Sequence, residues 1–118
     1  MLFLLEESLN LIVENDKSVL KLDGELIFDN SNQLKEEAKK KLAKNGEIKK
    51  LILDLSQVPY LDSSGVGVIL SIFKFMRKRN GSLSVAGPNQ KIKRVFEVTK
   101  LTEVISVYDN VEEAMNEV

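Results

Sequence analysis

The stretch from Ile48 to Gly81, IKKLILDLSQVPYLDSSGVGVILSIFKFMRKRNG, decides the fold of this chain. It opens with a strand predicted over Ile48–Leu55, in which Leu51-Ile52-Leu53 form a continuous apolar run. Such a run is typical of a strand that is buried on both faces, as in a parallel sheet. A helix predicted from Asp62 to about Arg79 follows, and Asn80-Gly81 supplies its stop signal. A buried strand followed by a long helix indicates an α/β domain.

The same alternation continues towards the C-terminus. Leu83–Ala86 is predicted as the next core strand, and a helix follows Gly87-Pro88. A short strand over Val104–Val107 and a last helix from about Asn110 complete the pattern. The first of these two helices carries Ile92, Val95 and Phe96, and the inner face of the second is predicted to consist of Val111, Ala114, Met115 and Val118. Strands that alternate with helices imply right-handed crossovers and a mostly parallel sheet.

Upstream of Ile48 the pattern begins with a hairpin. Leu9–Val13 and Ser18–Leu22 are strand-like, and the turn-rich Asn15-Asp16-Lys17 separates them. A helix is then predicted from about Asn30 to Asn45, with Asp29 or Asn30 as its N-terminal cap and a core-facing stripe at helical spacing. That stripe consists of Leu34, Ala38 and Leu42. The prediction is one α/β domain over residues 1–118, with a central mixed, mostly parallel sheet and about four helices.

Composition excludes several classes of chemistry. The chain of 118 residues fits one domain, and it contains no cysteine, so disulfides and thiol chemistry are excluded. It also contains no histidine, which removes the usual general base and the commonest metal ligand. The acidic residues are scattered without an oxygen-ligand loop. We therefore expect no cofactor and no metal.

Charge and hydropathy indicate the compartment and the class of partner. The formal net charge of -1 gives no reason to expect a polyanion. Lys39, Lys40, Lys41 and Lys44 are better explained as a solvated helix face than as a nucleic-acid surface, because no aromatic side chains interleave with them. The start, Met1–Leu5, lacks the features of a secretory signal, and no apolar run has the length of a bilayer-spanning helix. The prediction is a cytoplasmic protein without nucleic-acid binding or membrane insertion.

The segment Tyr60-Leu61-Asp62-Ser63-Ser64-Gly65-Val66-Gly67 is the most informative for function. It follows the carboxyl end of the predicted central strand, where sites collect in α/β sheets. Asp62 or Ser63 can cap the next helix, and we expect several backbone N–H groups there to point outward and to tolerate a phosphate. A plain helix start is the alternative. Gly65 and Gly67 weigh against it, because each costs about 1 kcal/mol relative to alanine inside a helix. Close packing against the sheet would still explain one of them.

These residues resemble those of the bacterial anti-sigma factor antagonists, the stand-alone members of the STAS domain family. The resemblance rests on Leu51–Leu55, on Asp62–Leu70 with its Asp-Ser-Ser-Gly element, on Gly24-Glu25-Leu26 and on the Lys93–Phe96 helix after Gly87-Pro88. It implies that Ser63 is phosphorylated by a partner anti-sigma factor that is itself a serine kinase. It also implies that the unmodified form binds this partner and frees a sigma factor, and that a serine phosphatase resets the system.

The resemblance further suggests which residues form the contact surface. Asp62, Ser64 and Gly65 would lie beside Ser63, with Ile27 and Asp29 at the rim. Many relatives carry an acidic residue where this chain has Ile27. A monomer or small oligomer is expected.

Other functions remain as rivals at this point. A STAS scaffold of a stress-sensing complex, or a regulatory domain of a membrane transport system, is the alternative within the family. A serine hydrolase with Ser63 as nucleophile has little support, because no histidine and no Gly-x-Ser-x-Gly elbow are present. A nucleotide-binding function lacks the usual Gly-rich phosphate loop. We therefore predict a binding protein and not an enzyme.

Overall fold

The computed structural model describes residues 9–14 and 16–118, and its chain begins with an antiparallel hairpin. Strand β1 (Leu9–Glu14) pairs with β2 (Lys17–Asp23), and Leu9 lies opposite Leu22. This confirms the predicted hairpin, whose turn residue Asn15 lies outside the described residues. The apolar start, Met1–Leu5, lies outside them as well.

Three further strands extend the sheet in parallel. They are β3 (Lys50–Gln57), β4 (Ser82–Ala86) and β5 (Ser106–Tyr108), and the strand order is β1-β2-β3-β4-β5. Strand β3 lies in the centre, and all five residues of Leu51–Leu55 are buried. The continuous apolar run therefore does mark a strand that is covered on both faces.

Helices cover the two faces of the sheet unequally. Helices α1 (Phe28–Lys44), α2 (Ser63–Lys78) and α3 (Gln90–Val98) pack on one face, where Leu42, Ile72 and Phe96 join one large core cluster. Helix α4 (Val111–Glu117) covers the other face, and its Ala114 packs with Ile52 and Ala86. The predicted architecture, a mixed, mostly parallel sheet with four helices in one domain, is confirmed.

The predicted start of the first helix was wrong. Helix α1 begins at Phe28, and Ile27 occupies its N-cap position. Asp29 lies inside the first turn, and Asn30 acts from the third position, where its Oδ1 accepts a bond from the Ile27 N–H at 3.0 Å. Its Nδ2 donates to the Glu25 carbonyl oxygen at 2.7 Å. An apolar N-cap is tolerated because Asn30 bonds the preceding backbone from within the helix.

Two strand boundaries also differ from the prediction. Ile48 is buried but precedes β3, which begins at Lys50. The last strand begins at Ser106, because a 3-10 turn over Leu101–Glu103 occupies the approach to it and Val104 closes that turn. Both errors arise because apolar side chains occur in turns as well as in strands, whether buried, as Ile48 is, or exposed, as Val104 is.

Helices α1 and α2 are bonded to each other at their C-terminal ends. The Arg79 guanidinium follows α2 and donates to the carbonyl oxygens of Leu42 at 2.8 Å and Asn45 at 3.1 Å. Helix ends leave carbonyl groups without intrahelical partners, and a basic side chain is a favourable donor to them. Arg79 therefore completes the end of α1, and the basic end of α2 has a structural task within the fold.

Candidate functional site

The site is built on two loops that run side by side at the carboxyl ends of β2 and β3. The Leu26 N–H donates to the Tyr60 carbonyl oxygen at 3.1 Å, and the Asp62 N–H donates to the Leu26 carbonyl oxygen at 3.2 Å. Leu26 and Leu61 are fully buried beneath this pairing. The loop before α1 and the loop before α2 are thus fixed to each other, and the N-termini of both helices open on the same surface.

The Asp62 carboxylate joins these two helix starts. Its Oδ1 accepts from the N–H groups of Ser64 at 2.8 Å and Gly65 at 3.1 Å, as a cap of α2. Its Oδ2 accepts from the Phe28 N–H, the first of α1, at 3.2 Å. A carboxylate also interacts favourably with the positive end of a helix dipole. Of the two cap residues that the sequence allowed, the structure selects Asp62.

Ser63 is the first residue of α2 and is exposed. Within the part of the chain that the structure describes, its hydroxyl makes no hydrogen bond. The expectation that several N–H groups point outward was wrong, because Asp62 already binds those of Ser64 and Gly65, and the Val66 N–H donates to the Asp62 carbonyl oxygen. Among the described donors of this first turn, the Ser63 N–H alone is left without a partner.

The two glycines of α2 serve different purposes. Gly65 is buried, and a Cβ at this position would lie 2.5 Å from the Leu26 carbonyl oxygen and 2.8 Å from the Leu61 Cβ. It is needed for the close approach of α2 to the paired loops and supports the site from beneath. Gly67 is exposed, and a Cβ there would meet nothing within 4 Å. Internal packing therefore explains Gly65 and leaves Gly67 unexplained.

A shallow groove between α1 and α2 runs from the Ser63 end of the site. We call it the switch groove; its volume is about 270 Å³. Its walls are formed by Phe28, Ser31, Asn32, Lys35, Ser64, Gly67, Val68 and Ser71. Gly67 lies on the α2 wall, where the absence of a side chain keeps the groove open. Hydroxyl groups, one lysine and one aromatic ring give this surface the mixed chemistry of a protein-binding site.

Phe28 is the residue of this surface that sequence reasoning missed. Its side chain is 76% exposed at the start of α1. The signal was present in the spacing, because Phe28 lies off the core stripe of Leu34, Ala38 and Leu42 when that stripe is continued backwards at helical period. An aromatic residue off the buried stripe of a helix is free to contact a partner.

The two rim positions of the predicted site flank Phe28. Ile27 is half-buried at the N-cap of α1, and Asp29 is exposed in its first turn. The Phe28 backbone bond to Asp62 therefore places both next to the start of α2. The structure brings the rim and the Asp-Ser-Ser-Gly element together through this bond and the two Leu26 backbone bonds.

Over residues 9–14 and 16–118, no group of three or more acidic side chains is arranged to hold a metal ion. Within the same ranges, no helix has both the length and the apolar character needed to cross a bilayer.

Comparison with known proteins gives concordant relatives. A candidate anti-sigma factor antagonist of Thermotoga maritima is 32% identical over 106 residues, which cover 90% of this chain and 93% of the relative. The anti-sigma-B factor antagonist of Listeria monocytogenes is 41% identical over 66 residues, or 56% of this chain and 57% of the relative. These relatives are named as regulators of sigma factors and not as enzymes.

Solved structures agree with this assignment. The crystal structure of an anti-sigma factor antagonist candidate from Thermotoga maritima superimposes with a TM-score of 0.84 at 31% identity, covering 93% of both chains. Unphosphorylated SpoIIAA, another anti-sigma factor antagonist, matches in fold with a TM-score of 0.67 at 22% identity over 92% of this chain and 94% of its own. The family model described as the STAS domain matches residues 8–114, and the chain therefore belongs to the STAS domain family.

Proposed function

We propose that this protein is an anti-sigma factor antagonist whose binding to a partner is controlled by phosphorylation of Ser63. The unmodified form binds an anti-sigma factor serine kinase in the cytoplasm and so releases a sigma factor. The kinase phosphorylates Ser63, and a serine phosphatase restores the binding form. The observation that carries this proposal is the exposed Ser63 hydroxyl, which starts α2 beside an Asp62 carboxylate that is already fully engaged.

A phosphate at Ser63 would stay on the surface. It brings a charge of about -1.5 to -2 at neutral pH and three strong acceptor oxygens. The Ser64 and Gly65 N–H groups already donate to the Asp62 carboxylate. A phosphate could therefore bind them only by displacing Asp62 and breaking the helix cap. It also lies next to the Asp62 negative charge, which favours an outward position. The phosphate is therefore added to the face that meets the partner.

Release then follows from the cost of desolvation. Burying a doubly charged group at an interface costs several kcal/mol unless the partner supplies matching cations. The unmodified surface has no such cost, because a serine hydroxyl is small and neutral. Phe28 beside it supplies an exposed aromatic ring, the kind of side chain that carries binding energy at interfaces. Ile27, Asp29, Asp62 and Ser64 complete the proposed contact surface, and Gly65 positions it from below.

The deciding experiment combines phosphorylation with binding. The protein, Ser63→Ala and Ser64→Ala would each be incubated with a candidate anti-sigma kinase and ATP, and phosphopeptides would be identified by mass spectrometry. We expect phosphate on Ser63 in the parent chain and in Ser64→Ala, and none in Ser63→Ala. The purified phosphorylated form should then lose affinity for the kinase by about a hundredfold, since a loss of a few kcal/mol has that effect. A phosphorylated form that binds unchanged would contradict the proposal.

The alternatives predict different outcomes. A STAS scaffold of a stress-sensing complex should assemble into large particles, whereas a simple antagonist should elute as a monomer or small oligomer. The alternative of a transporter domain has less support. A plant high-affinity sulfate transporter is also 31% identical over 96 residues, but this chain spans 14% of its length. A serine hydrolase would react with a fluorophosphonate probe, and we expect no reaction, because no histidine is available as a base.

A further inference from the structure

A second and larger groove lies beside the Ser63 surface, between the loop that precedes α2 and the outer side of α3. We call it the α3 groove; its volume is about 520 Å³. Tyr60 forms one wall, and Val95 and Val98 form the opposite one. Lys91 and Arg94 lie along the α3 side of the opening. Gln90 and Thr99 are the remaining lining residues, and most of the surface that faces the groove is apolar.

Two of the large apolar residues that line this groove are exposed to solvent. The Val98 side chain is 77% exposed and that of Tyr60 is 46% exposed. Ile92 and Phe96, on the opposite side of α3, are fully buried and already attach the helix to the sheet. A cluster of exposed apolar side chains around a concave surface is typical of an interaction site.

The two cations of the groove indicate the charge of the segment that binds there. Lys91 and Arg94 make no ion pair with any residue in the ranges that the structure describes. Lys93, their neighbour on the helix, is paired with Asp109 at 3.3 Å. Two unpaired cations beside an apolar groove favour a segment with an apolar side chain and an acidic side chain close to each other.

The α3 groove is continuous with the Ser63 surface. Asn89, which caps α3, donates from its Nδ2 to the Pro59 carbonyl oxygen at 3.0 Å. The next residue, Tyr60, accepts the bond from Leu26 that joins the two loops of the site. A side-chain bond from Asn89 and a backbone bond from Leu26 therefore hold the groove and the Ser63 loop together, and a partner covering Ser63 lies within reach of the groove.

We propose that the α3 groove binds an acidic amphipathic segment of the anti-sigma factor, with an apolar side chain seated between Tyr60 and Val98 and an acidic side chain paired with Arg94 and Lys91. This inference rests on the proposed function and adds a second contact to it. The groove lies beside Ser63 and does not contain it. The groove therefore contributes affinity both for the free kinase and for the kinase in complex with the sigma factor, whereas phosphorylation of Ser63 controls whether binding occurs.

The test uses two groove variants and two matched controls in the full chain. Val98→Asp places a carboxylate in the groove, and Ile12→Asp makes the same kind of change at a 55% exposed apolar side chain on β1, the opposite edge of the sheet. Arg94→Glu reverses a groove charge, and Lys40→Glu reverses an exposed charge on α1. Affinity for the anti-sigma factor would be measured by calorimetry, and the kinetics of Ser63 phosphorylation by a phosphate-transfer assay. Thermal unfolding would establish that each variant is folded.

We expect both groove variants to bind about tenfold or more weakly, as for loss of an interface anchor. Their KM as kinase substrates should rise while kcat stays unchanged, and both controls should stay within about twofold of the parent, as for neutral surface changes. Groove variants that bind like their controls, while phosphorylation of Ser63 still causes release, would overturn the groove and leave the proposed function intact. A loss of affinity with Val98→Asp but not with Arg94→Glu would overturn the proposal that the bound segment is acidic. A parent chain that neither binds nor is phosphorylated would overturn both proposals.

Discussion

Asp62 shows how much one side chain does at the residue scale. Its two oxygens accept three backbone N–H groups, two from α2 and one from α1. The carboxylate is thereby the cap of one helix and the connection to another. These bonds occupy the backbone of the helix start and leave the Ser63 hydroxyl exposed at its first position.

Replacing Asp62 by alanine tests this role. Asp62→Ala removes all three bonds, and we expect the free energy of unfolding to fall by about 2 kcal/mol, the upper range for loss of a cap. Asp62→Asn keeps an acceptor oxygen and should lose less. Urea denaturation would measure both, with Asp29→Ala as the control, since that exposed side chain makes no described hydrogen bond and should change stability by less than about 0.5 kcal/mol. Equal stability of Asp62→Ala and the control would contradict the assignment.

The two glycines of α2 provide a matched pair. Gly65→Ala would force a Cβ into the Leu26 backbone, and we expect it to lower the free energy of unfolding by about 2 kcal/mol, as for overpacking in a core. Gly67→Ala meets no atom and should raise it by up to about 1 kcal/mol through helix propensity.

For Gly67→Ala, the expected changes in stability and in binding have opposite signs. Gly67→Ala should weaken anti-sigma factor binding although the fold is stabilised, because the methyl group narrows the switch groove. Stability would be measured by urea denaturation and affinity by calorimetry on the same samples. A Gly67→Ala variant that is both more stable and an equally good binder would show that the open position has no part in the interface.

At the scale of elements, α1 and α2 form a pair that is bonded at both ends. Asp62 joins their N-termini, and Arg79 joins their C-termini through the carbonyl oxygens of Leu42 and Asn45. Parallel strands with right-handed crossovers make the two helices run in the same direction, so like ends lie together. The pair acts as one rigid unit beneath the switch groove.

The C-terminal connection is tested by Arg79→Met beside Arg77→Met. Both guanidinium groups lie over phenylalanine rings, Arg79 at 5.2 Å from the centroid of Phe75 and Arg77 at 5.6 Å from that of Phe73. The two substitutions therefore lose a similar ring contact, but only Arg79→Met also loses the bonds to α1. We expect it to be less stable than Arg77→Met by about 1–2 kcal/mol, the value of charged hydrogen bonds. Equal thermal stability would assign the effect to the ring contact alone.

Hydrophobic periodicity predicted which helices and strands are present, but it was less successful in placing their first residues. The mostly apolar runs Leu51–Leu55 and Leu83–Ala86 placed the two central strands, because a strand buried on both faces is rich in apolar residues, although each run also contains a buried polar residue, Asp54 or Ser84. The start of α1 was missed because the cap is formed by Asn30 from inside the helix, an arrangement that differs from the usual N-cap pattern. A local bond of this kind has no periodic signal.

The local part of the candidate site could be predicted from a short motif. Asp62, Ser63, Ser64 and Gly65 are contiguous, and the family resemblance added Ile27 and Asp29 to the prediction. Phe28 joins the surface through the pairing of Leu26 with the loop before α2, a contact between segments far apart in the chain. Periodicity alone does not place its side chain next to the start of α2, whereas Tyr60 already belongs to the segment that the sequence singles out.

For the whole molecule, the rigid helix pair predicts a localised response to phosphorylation. Amide chemical shifts of the Ser63-phosphorylated form should change around residues 26–29 and 60–68, and residues near Arg79, Leu42 and Asn45 should stay at their positions. The reason is that Asp62 keeps its bonds to the N–H groups of Phe28, Ser64 and Gly65, so the starts of α1 and α2 stay joined. A heteronuclear NMR comparison of the two forms would measure this, and shifts extending along α2 to Arg79 would contradict it.

The double connection of α1 and α2 also bears on how fast the signal can travel. Switches that depend on moving a helix or a lid relax over microseconds to milliseconds or longer, and that delay is added to each cycle. In the proposed switch, the change would be complete as soon as the phosphoester bond at Ser63 forms or is hydrolysed, because the surface itself would carry the difference. The response time of such a circuit would be set by kinase and phosphatase turnover and by partner dissociation, so cells could tune it through enzyme abundance without altering this protein.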